Sequence, residues 1–433
     1  MSRPLILLCN PPSPPGKTAD REFASGMGTV REPQESAQPP HTLAWTAAAL
    51  HRAGWQVAAI DAVASRVTEA QALSAIVDHR PAIVILLTSP ATADVDSAFI
   101  RALRLHLTTF SILLVGLAAR HLPPNLVSEA NMVLAGEPEG AVDVACRSLL
   151  GHKSRVGLVS PQALGVPGYD AQGHLLDLDS LPFPDWDLFP LRHYDYLPIV
   201  SSRGCGRGCR YCTVPVTQGV VGRARVAEQV VEEMRLLNSC YRVQRFRFLD
   251  PLWGADAFHA EALCDALIQS RLSRRVTWTC ESRADLLDLH LLDRMAKAGC
   301  RELHLGLESV SPETLFALGR IPSVEDMPEY LRRTGQIIRG CHTLGIACHV
   351  HVMAGLPGDE SGVRDTRAFL LAYSPDAVHV TPLTPYPGTS IVPTSRIEAE
   401  TSELEGVATP DTPPARVSPW RRVVGRLDSL PSA

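Results

Sequence analysis

The sequence has no excess of positive charge and no long apolar run. Lysine and arginine number 41 against 46 aspartates and glutamates, which gives a formal net charge of −5 at pH 7. Such a balance provides no basic footprint for nucleic acid or for an anionic membrane. The longest apolar runs, such as residues 82–88, fall well short of the ~18 residues that cross a bilayer. We therefore expect no nucleic-acid partner and no membrane span.

We do not expect the first residues to be a secretory leader. Residues 1–10 are too short for the apolar part of a signal peptide and run directly into a proline cluster. The chain has 11 cysteines, and without an export signal they indicate a reducing compartment. We expect a cytoplasmic protein in which the eight scattered cysteines are small buried apolar residues.

Three of the cysteines lie together in one glycine-rich loop. Cys205, Cys209 and Cys212 have the spacing Cys-x3-Cys-x2-Cys and follow an apolar, strand-like segment at residues 197–200. Three thiolates in a tight loop can hold an iron–sulfur cluster, and a fourth iron without a protein ligand is open to a small molecule. The alternatives are a zinc loop or unrelated core thiols. Zinc prefers four ligands in paired spacing, and no downstream pair completes such a site.

Residues 1–150 alternate apolar strands with amphipathic helices. Strands are predicted at 4–9, 56–60, 82–88, 112–115 and 132–135, and helices at 44–52, 95–107 and 141–150. This alternation favours a doubly wound, Rossmann-like α/β domain with ligands beyond the carboxyl ends of its strands. Residues 151–196 are predicted to be a connector whose prolines restrict the backbone and whose aromatics pack onto a neighbour.

A second series of strands and helices begins at residue 197. Strands are predicted at 197–202, 246–250, 277–280, 302–307, 347–353 and 377–381, and the first helix at 226–237. Six such units predict a partial (β/α)6 barrel over residues 197–390, with its site at the carboxyl ends of the strands. Residues 391–433 are rich in proline, serine, threonine and glutamate, and we expect a largely disordered tail.

The cysteine loop, with Tyr211 just before its last cysteine, resembles the motif of the radical S-adenosylmethionine (radical SAM) superfamily. Four further segments support the resemblance across residues 197–390, and they occur in the family's order: residues 278–285, 305–309, 355–360 and 385–389. The resemblance implies a [4Fe-4S] cluster whose open iron chelates SAM. One electron, from a donor such as flavodoxin or ferredoxin, then cleaves SAM to methionine and a 5′-deoxyadenosyl radical.

The same resemblance implies a set of SAM-binding residues: Tyr211, Arg225, Asp250, Arg283, Glu308, Gly355 and Pro357. Glu308 can hydrogen-bond polar SAM groups, and Arg283 or Arg225 can pair with the SAM carboxylate. Gly355 lets the backbone approach the adenosine closely. The structural alternatives are an ion pair for Arg283 and a simple turn for Gly355. His304, His349 and His351 lie in apolar strands and are interpreted as buried, hydrogen-bonded histidines.

The first domain resembles the cobalamin-binding domain found in one class of radical SAM enzymes. The resemblance covers about residues 5–150 and implies cofactor contacts at the strand ends, from Thr88, Ser89, Gly116, Gly136 and Glu137. The D-x-H-x-x-G motif of many cobalamin proteins is absent. The usual second glycine after the fourth strand is replaced in Gly116-Leu117-Ala118-Ala119, which hinders close approach of a corrin. A scaffold domain without cofactor is therefore the alternative.

The leading functional hypothesis is a cobalamin-dependent radical SAM methyltransferase that acts on an unactivated carbon of a small metabolite. One alternative keeps the radical chemistry without cobalamin, in an oxidative cyclase, an epimerase or a rearrangement enzyme. Another is a non-catalytic iron–sulfur sensor or partner protein. A methylthiotransferase is disfavoured because the first domain has only Cys9 and Cys146, too few for a second cysteine triad.

Overall fold

The computed structural model of the chain describes residues 4–33, 36–151, 157–359, 362–391 and 404. Its strands are β1 (Leu5–Asn10), β2 (Thr18–Asp20), β3 (Thr29–Arg31), β4 (Gln56–Asp61), β5 (Ile83–Leu87), β6 (Ser111–Val115), β7 (Met132–Leu134), β8 (Leu158–Val159), β9 (Leu197–Ile199), β10 (Ser202–Arg203), β11 (Arg223–Ala224), β12 (Arg245–Phe248), β13 (Thr277–Ser282), β14 (Cys300–Glu308), β15 (Ala347–Ala354) and β16 (Ala377–Pro382). Its helices are α1 (Phe23–Gly26), α2 (His41–Arg52), α3 (Glu69–His79), α4 (Ala93–His106), α5 (Pro124–Glu129), α6 (Val142–Leu150), α7 (Val214–Thr217), α8 (Ala227–Tyr241), α9 (Ala257–Gln269), α10 (Leu289–Lys297), α11 (Pro312–Ala317), α12 (Met327–Leu344) and α13 (Gly362–Tyr373). The predicted tail at 391–433 lies outside the described residues, apart from 391 and 404.

The first sheet has six parallel strands in the order β4-β1-β5-β6-β7-β8. Its central strands are apolar runs, and β5 is buried along its whole length. A parallel sheet that is covered on both faces requires such strands, because neither face meets water. The strand order reverses between β1 and β5, so this is a doubly wound domain and the predicted fold class is confirmed.

The segment predicted as a connector contributes the last strand of this sheet. β8 pairs with β7 in parallel through Val133 and Leu158. Further along, Trp186 is fully buried, and the backbone N–H of Asp185 donates to the carbonyl of Ala44 at 3.0 Å. The connector therefore packs onto the first domain through its aromatics, and the first sheet extends past residue 150.

A short antiparallel hairpin, β2–β3, covers the carboxyl end of β1 and was not predicted. Its polar sequence has no apolar periodicity to reveal it. The side chain of Arg21 follows β2, is completely buried, and pairs with Asp96 at 2.5 Å. Its guanidinium also donates to the side-chain oxygen of Asn10 at 3.0 Å. A polar network thus closes part of the mouth of the first sheet.

The second sheet also has six parallel strands, in the sequential order β9-β12-β13-β14-β15-β16. Each strand lies beside the next one along the chain, which is the arrangement of a partial (β/α)6 barrel. Along β14, Leu303, Leu305 and Leu307 are fully buried, whereas the alternate residues are only partly buried. The two-residue period therefore places leucines against the helices and leaves a polar inner face.

The end of β7 in the first sheet and the ends of β13 and β14 in the second lie beside the cysteine loop or its base. Among the helices that the structure describes, none combines the length and the apolar character needed to cross a lipid bilayer. All eleven cysteines lie within the described residues, and all are free thiols.

Candidate active site

The cysteine loop lies between the two short strands β10 and β11. These strands pair antiparallel, Arg203 opposite Arg223, so they close the base of the loop. The backbone N–H of Cys205 donates to the carbonyl of Gly219 at 3.0 Å, and that of Cys212 to the carbonyl of Cys209 at 3.1 Å. All three cysteines are partly exposed. The loop is therefore folded on itself and leaves its thiols accessible.

Two glycines in the loop have positive φ, and only one of them has no room for a side chain. Gly204 has a φ of +81°, and a Cβ built there would lie 2.2 Å from the carbonyl oxygen of Val221. Gly208 has a φ of +70° with no described heavy atom within 4 Å of such a Cβ. Left-handed φ favours glycine at both positions, but only Gly204 is also required by close backbone packing.

The three thiols lie close enough to influence one another. Burial, with smaller contributions from the charges of Cys209 and Cys205, raises the pKa of Cys212 to about 12. Three accessible thiols in one loop fit a multi-iron cluster, which binds them as thiolates.

Arg283 reaches the cysteine loop from the end of β13. Its guanidinium lies 3.8 Å from the sulfur of Cys209, where an N–H donor stabilises a thiolate. The same side chain pairs with Asp285 at 2.7 Å and donates to the carbonyl of Arg320 at 2.6 Å. The structural ion pair considered for Arg283 is therefore present, together with the contact to a cysteine.

Glu308 ends β14 within hydrogen-bonding distance of the loop tyrosine. The hydroxyl of Tyr211 donates to its carboxylate at 3.1 Å, and Arg320 lies 3.3 Å from the same oxygen. Glu308 has a φ of +67° and follows a break in the strand register after Gly306. A non-glycine residue in the left-handed region costs of order 1–3 kcal/mol and is typical of functional sites.

Gly355 and Pro357 lie in the turn after β15, next to the end of β14. Gly355 has a φ of +81°, as the predicted turn requires. The hydroxyl of Ser309 donates to the carboxylate of Asp359 at 2.7 Å, which ties this turn to the residue after Glu308. Two of the segments that carry the family resemblance are therefore adjacent in space. Residue 360 lies outside the described residues.

Asp250 and Arg225 contact the chain leading into the loop rather than the cysteines. The backbone N–H of Ser201 donates to the carboxylate of Asp250 at 2.7 Å, and the hydroxyl of Ser202 at 2.8 Å. Arg225 is buried and pairs with Glu233 at 2.7 Å. Its guanidinium also donates to the carbonyl oxygen of Val200 at 3.0 Å. SAM binding by these two residues stays a prediction, whereas their positioning of residues 200–202 is direct.

The predicted cofactor loops of the first domain lie at the carboxyl ends of its strands, as expected. Thr88 follows β5 and donates to Asp96 at 2.7 Å. Ser89 lies against Gly28 of the hairpin, where a Cβ would meet its hydroxyl oxygen at 1.9 Å. Gly116 follows β6, and a Cβ there would lie 2.3 Å from the carbonyl oxygen of Thr88. These residues therefore pack against their own domain.

Glu137 follows β7 and joins the first domain to both strands at the base of the cysteine loop. Its carboxylate pairs with Arg223 at 2.7 Å and with Arg203 at 3.2 Å, and Arg203 also pairs with Glu139 at 2.8 Å. Gly136 packs on the connector, where a Cβ would lie 2.2 Å from a carbonyl oxygen.

The five residues predicted to contact cobalamin are hydrogen-bonded or closely packed within the chain itself. A small cleft with a cavity volume of about 10 Å³ lies at the mouth of the first sheet and is lined partly by Asn10, Asp20 and Arg21. Cobalamin contact by Thr88, Ser89, Gly116, Gly136 and Glu137 stays a prediction. The support for cobalamin comes from the fold of the first domain.

Four charged residues of the site were not predicted: Arg203, Arg223, Arg320 and Glu139. Arg203 adjoins the cysteine motif, and this adjacency was the one available signal. Arg320 follows α11 in a loop without any motif. Its role depends on Glu308 and on Tyr211, which is 109 positions away in sequence. No local pattern reports such a contact.

Comparison with known proteins agrees with this site. The Radical SAM superfamily model matches residues 199–369, which contain the cysteine loop, Glu308 and Gly355. This part of the chain is a radical SAM domain. An uncharacterized methyltransferase of Pyrococcus horikoshii is 27% identical over 221 residues, which are 50% of this chain and 46% of that protein. The chain thus aligns with less than half of that relative's length.

Two further proteins are similar over most of the chain. The anaerobic magnesium-protoporphyrin IX monomethyl ester cyclase of Synechocystis is 25% identical over 419 residues, covering 89% of this chain and 76% of the cyclase. Among solved structures, the radical SAM methyltransferase TsrM of Kitasatospora setae, with cobalamin and a [4Fe-4S] cluster bound, has a TM-score of 0.69 at 18% identity, covering 90% of this chain and 74% of TsrM. At this identity the likeness shows a shared two-domain fold.

Proposed function

We propose that the chain is a radical SAM enzyme that transfers a methyl group to an unactivated carbon of a small molecule. The observation that carries the proposal is the contact between the cysteine loop and the end of β14. Tyr211, within the loop, donates to Glu308, and Arg283 reaches the sulfur of Cys209. A cluster held by the thiols would thus lie beside buried polar groups able to bind SAM.

Some residues of the site would hold the cluster, and others would orient SAM. When bound, the cluster supplies the electron that cleaves SAM to methionine and a 5′-deoxyadenosyl radical. Cys205, Cys209 and Cys212 would hold it as thiolates. Glu308 is positioned by Tyr211 and by a positive φ, so its carboxylate is oriented before SAM binds. The chain's contribution is orientation and the exclusion of water.

Cobalamin is proposed as the source of the transferred methyl group. The support is the doubly wound first domain, placed before the barrel as in TsrM, whose structure contains cobalamin. The predicted contact residues are already partnered within the chain, so no step is assigned to them. Measurement of bound corrin therefore decides this part of the proposal independently of the cluster.

A second candidate is a cobalamin-free radical SAM enzyme such as an oxidative cyclase. The alignment with the Synechocystis cyclase spans 89% of this chain and supports cyclisation as the reaction. The absence of cobalamin is a separate part of this candidate. The cysteine loop and the Glu308 contacts would serve both reactions equally. The two candidates differ in whether a corrin is bound and whether the product gains a methyl group.

The proposal includes partners and location. The substrate would be a small molecule, and a flavodoxin or ferredoxin would supply the electron. Eleven free thiols suit a reducing cytoplasm, because such a compartment keeps them reduced.

The test is an anaerobic preparation from cobalamin-fed cells, analysed for iron, sulfide and corrin per chain and for 5′-deoxyadenosine after addition of SAM and a reductant. We expect about four irons, one corrin, and 5′-deoxyadenosine formation. Cys205→Ala should reduce the iron content and abolish cleavage. Cys240→Ala, which changes an exposed cysteine outside the loop, is the matched control.

The outcomes separate the alternatives. A full cluster without corrin would favour a cobalamin-free radical SAM enzyme. A cluster without SAM cleavage would favour an iron–sulfur sensor or partner protein. No cluster after reconstitution, or an unchanged cluster and cleavage in Cys205→Ala, would refute the radical SAM assignment.

A further inference from the structure

Four histidines lie together on the inner face of the second sheet, away from the cysteine loop. His304 is in β14, His349 and His351 are in β15, and His379 is in β16. The strand register places His304 opposite His349 and His351 opposite His379. Because these residues alternate with apolar ones, all four imidazoles project to the same side of three adjacent strands.

Three of these histidines have the geometry of a metal site. One ring nitrogen from each of His304, His349 and His379 lies within 4.8 Å of the other two. Nε2 of His379 is already 3.2 Å from Nδ1 of His349. Three nitrogens bound to one zinc ion at ~2.0–2.1 Å lie about 3.3 Å apart in a tetrahedral site. A small rotation of the His304 side chain would therefore bring its ring nitrogen to the distance that a shared zinc ion requires.

A carboxylate orients one of the imidazoles. Oε1 of Glu302 lies 2.6 Å from Nε2 of His304 and 3.7 Å from Nδ1 of His349. This bond fixes the proton on Nε2 of His304 and leaves Nδ1 with a lone pair. A carboxylate that holds the second nitrogen of a ligating histidine is a common support of metal sites.

One side of the histidine cluster is buried and the other side is open. The side chain of His304 is only 12% exposed, whereas His379 is exposed, so an ion can enter from the edge strand.

We propose that His304, His349 and His379 bind a transition-metal dication of the zinc class, with Glu302 orienting His304. Imidazole ligands favour zinc and similar metals over magnesium or calcium. His304 precedes Glu308 by four residues in β14, a separation of about 13 Å along the strand. The site is therefore distinct from the cysteine loop and shares no ligand with it.

The alternative is a ladder of hydrogen-bonded imidazoles without an ion. His351 lies 2.8 Å from Nδ1 of His304, so the histidines can satisfy one another. Metal binding requires His304 to exchange this partner for the ion. The two interpretations therefore differ in whether one equivalent of zinc binds at this site.

The test uses the full chain with its iron–sulfur cluster in place, so that the three loop thiols are occupied. Zn²⁺ affinity is measured by competition with a chelating dye, and Co²⁺ is added as a spectroscopic probe. We expect one equivalent of bound ion and Co²⁺ bands of a nitrogen- and oxygen-ligated tetrahedral site, without thiolate charge transfer. Glu302→Gln should weaken binding by about 10–100-fold, as loss of an orienting carboxylate does elsewhere.

His349→Gln and His379→Gln should each weaken binding at least as much as Glu302→Gln. The matched control is His290→Gln, which changes an exposed histidine in α10 and should bind normally. His379→Gln is the decisive variant, because its exposed position spares the buried part of the cluster. Equal Zn²⁺ binding by His379→Gln and His290→Gln would overturn the proposal. So would Co²⁺ spectra with thiolate charge transfer, or no stoichiometric binding.

Discussion

Substitution of one glycine in the cysteine loop should abolish cluster binding, whereas the same substitution four residues later should not. Gly204 and Gly208 both have positive φ values, +81° and +70°. An added Cβ at Gly204 would lie 2.2 Å from a backbone oxygen, and at Gly208 no described heavy atom lies within 4 Å. The pair therefore separates backbone strain from steric closure of the loop.

The magnitudes follow from these two geometries. Alanine at a left-handed position costs ~1–2 kcal/mol, and for Gly208→Ala this is the whole effect. In Gly204→Ala the Val221 carbonyl must also retreat. This movement weakens the pairing of β10 with β11 and the bond from Cys205 to Gly219, at ~0.5–1.5 kcal/mol for each hydrogen bond. With one hydrogen bond weakened at each of these two places, the total for Gly204→Ala is about 2–5 kcal/mol.

Two assays read out the difference. For a domain of this size, 1 kcal/mol shifts the melting temperature by ~2–4 °C, so Gly208→Ala should melt roughly 2–8 °C lower and keep its iron. Gly204→Ala should melt lower still and lose most of its iron and sulfide after anaerobic reconstitution. Equal iron content and equal melting temperatures in the two variants would show that close packing at Gly204 does not shape the cluster loop.

Three other predictions concern buried charges. Arg320→Gln should lower the free energy of unfolding by about 3–5 kcal/mol and weaken SAM binding, because it leaves Glu308 buried without its cation. Arg320→Lys should cause smaller losses, both in thermal melts and in SAM titrations. Arg203→Met should destabilise the chain by a similar amount, and the double variant Arg203→Met with Glu139→Gln should recover part of that loss. If the losses of the two single variants simply add in the double variant, the pairing of Arg203 with Glu139 is contradicted. Burial raises the pKa of Glu137, but its two arginines outweigh burial and lower it below the ordinary 4.5. Its stabilisation is therefore complete above about pH 4.5 and lost as the pH falls further, and acid titration of Glu137→Gln should show a shallower loss than the unmodified chain.

The sequence predicted those features that depend on local pattern. Apolar runs identified the parallel strands of both sheets, because a strand covered on both faces has few polar residues. Helix α8 was predicted at 226–237 and spans Ala227–Tyr241, since its apolar residues recur at helical spacing. The cysteine spacing located the loop itself. In each case the determining residues lie within one short stretch of chain.

The unpredicted features depend on contacts between distant, polar stretches. The hairpin β2–β3 is held by the pairing of Arg21 with Asp96, residues 75 positions apart. Arg320 and Glu308 are close in sequence, but only the strand break and the positive φ at Glu308 bring them together. The histidine cluster depends on the register of three strands. The hydrophobic periodicity of a strand predicts which face of the sheet a residue occupies, but not which side chain it contacts on that face.

The first domain has a structural role that does not depend on whether it binds a cofactor. Glu137 pairs with Arg203 in β10 and with Arg223 in β11, and these two strands close the base of the cysteine loop. Because all three side chains are at least nine-tenths buried, loss of one leaves an uncompensated charge at the domain interface. A displacement of the strand end after β7 therefore moves the loop that holds the thiols. The residue predicted to contact a cofactor in the first domain thus positions the cluster loop in the second, and a barrel expressed without the first domain should hold its cluster poorly.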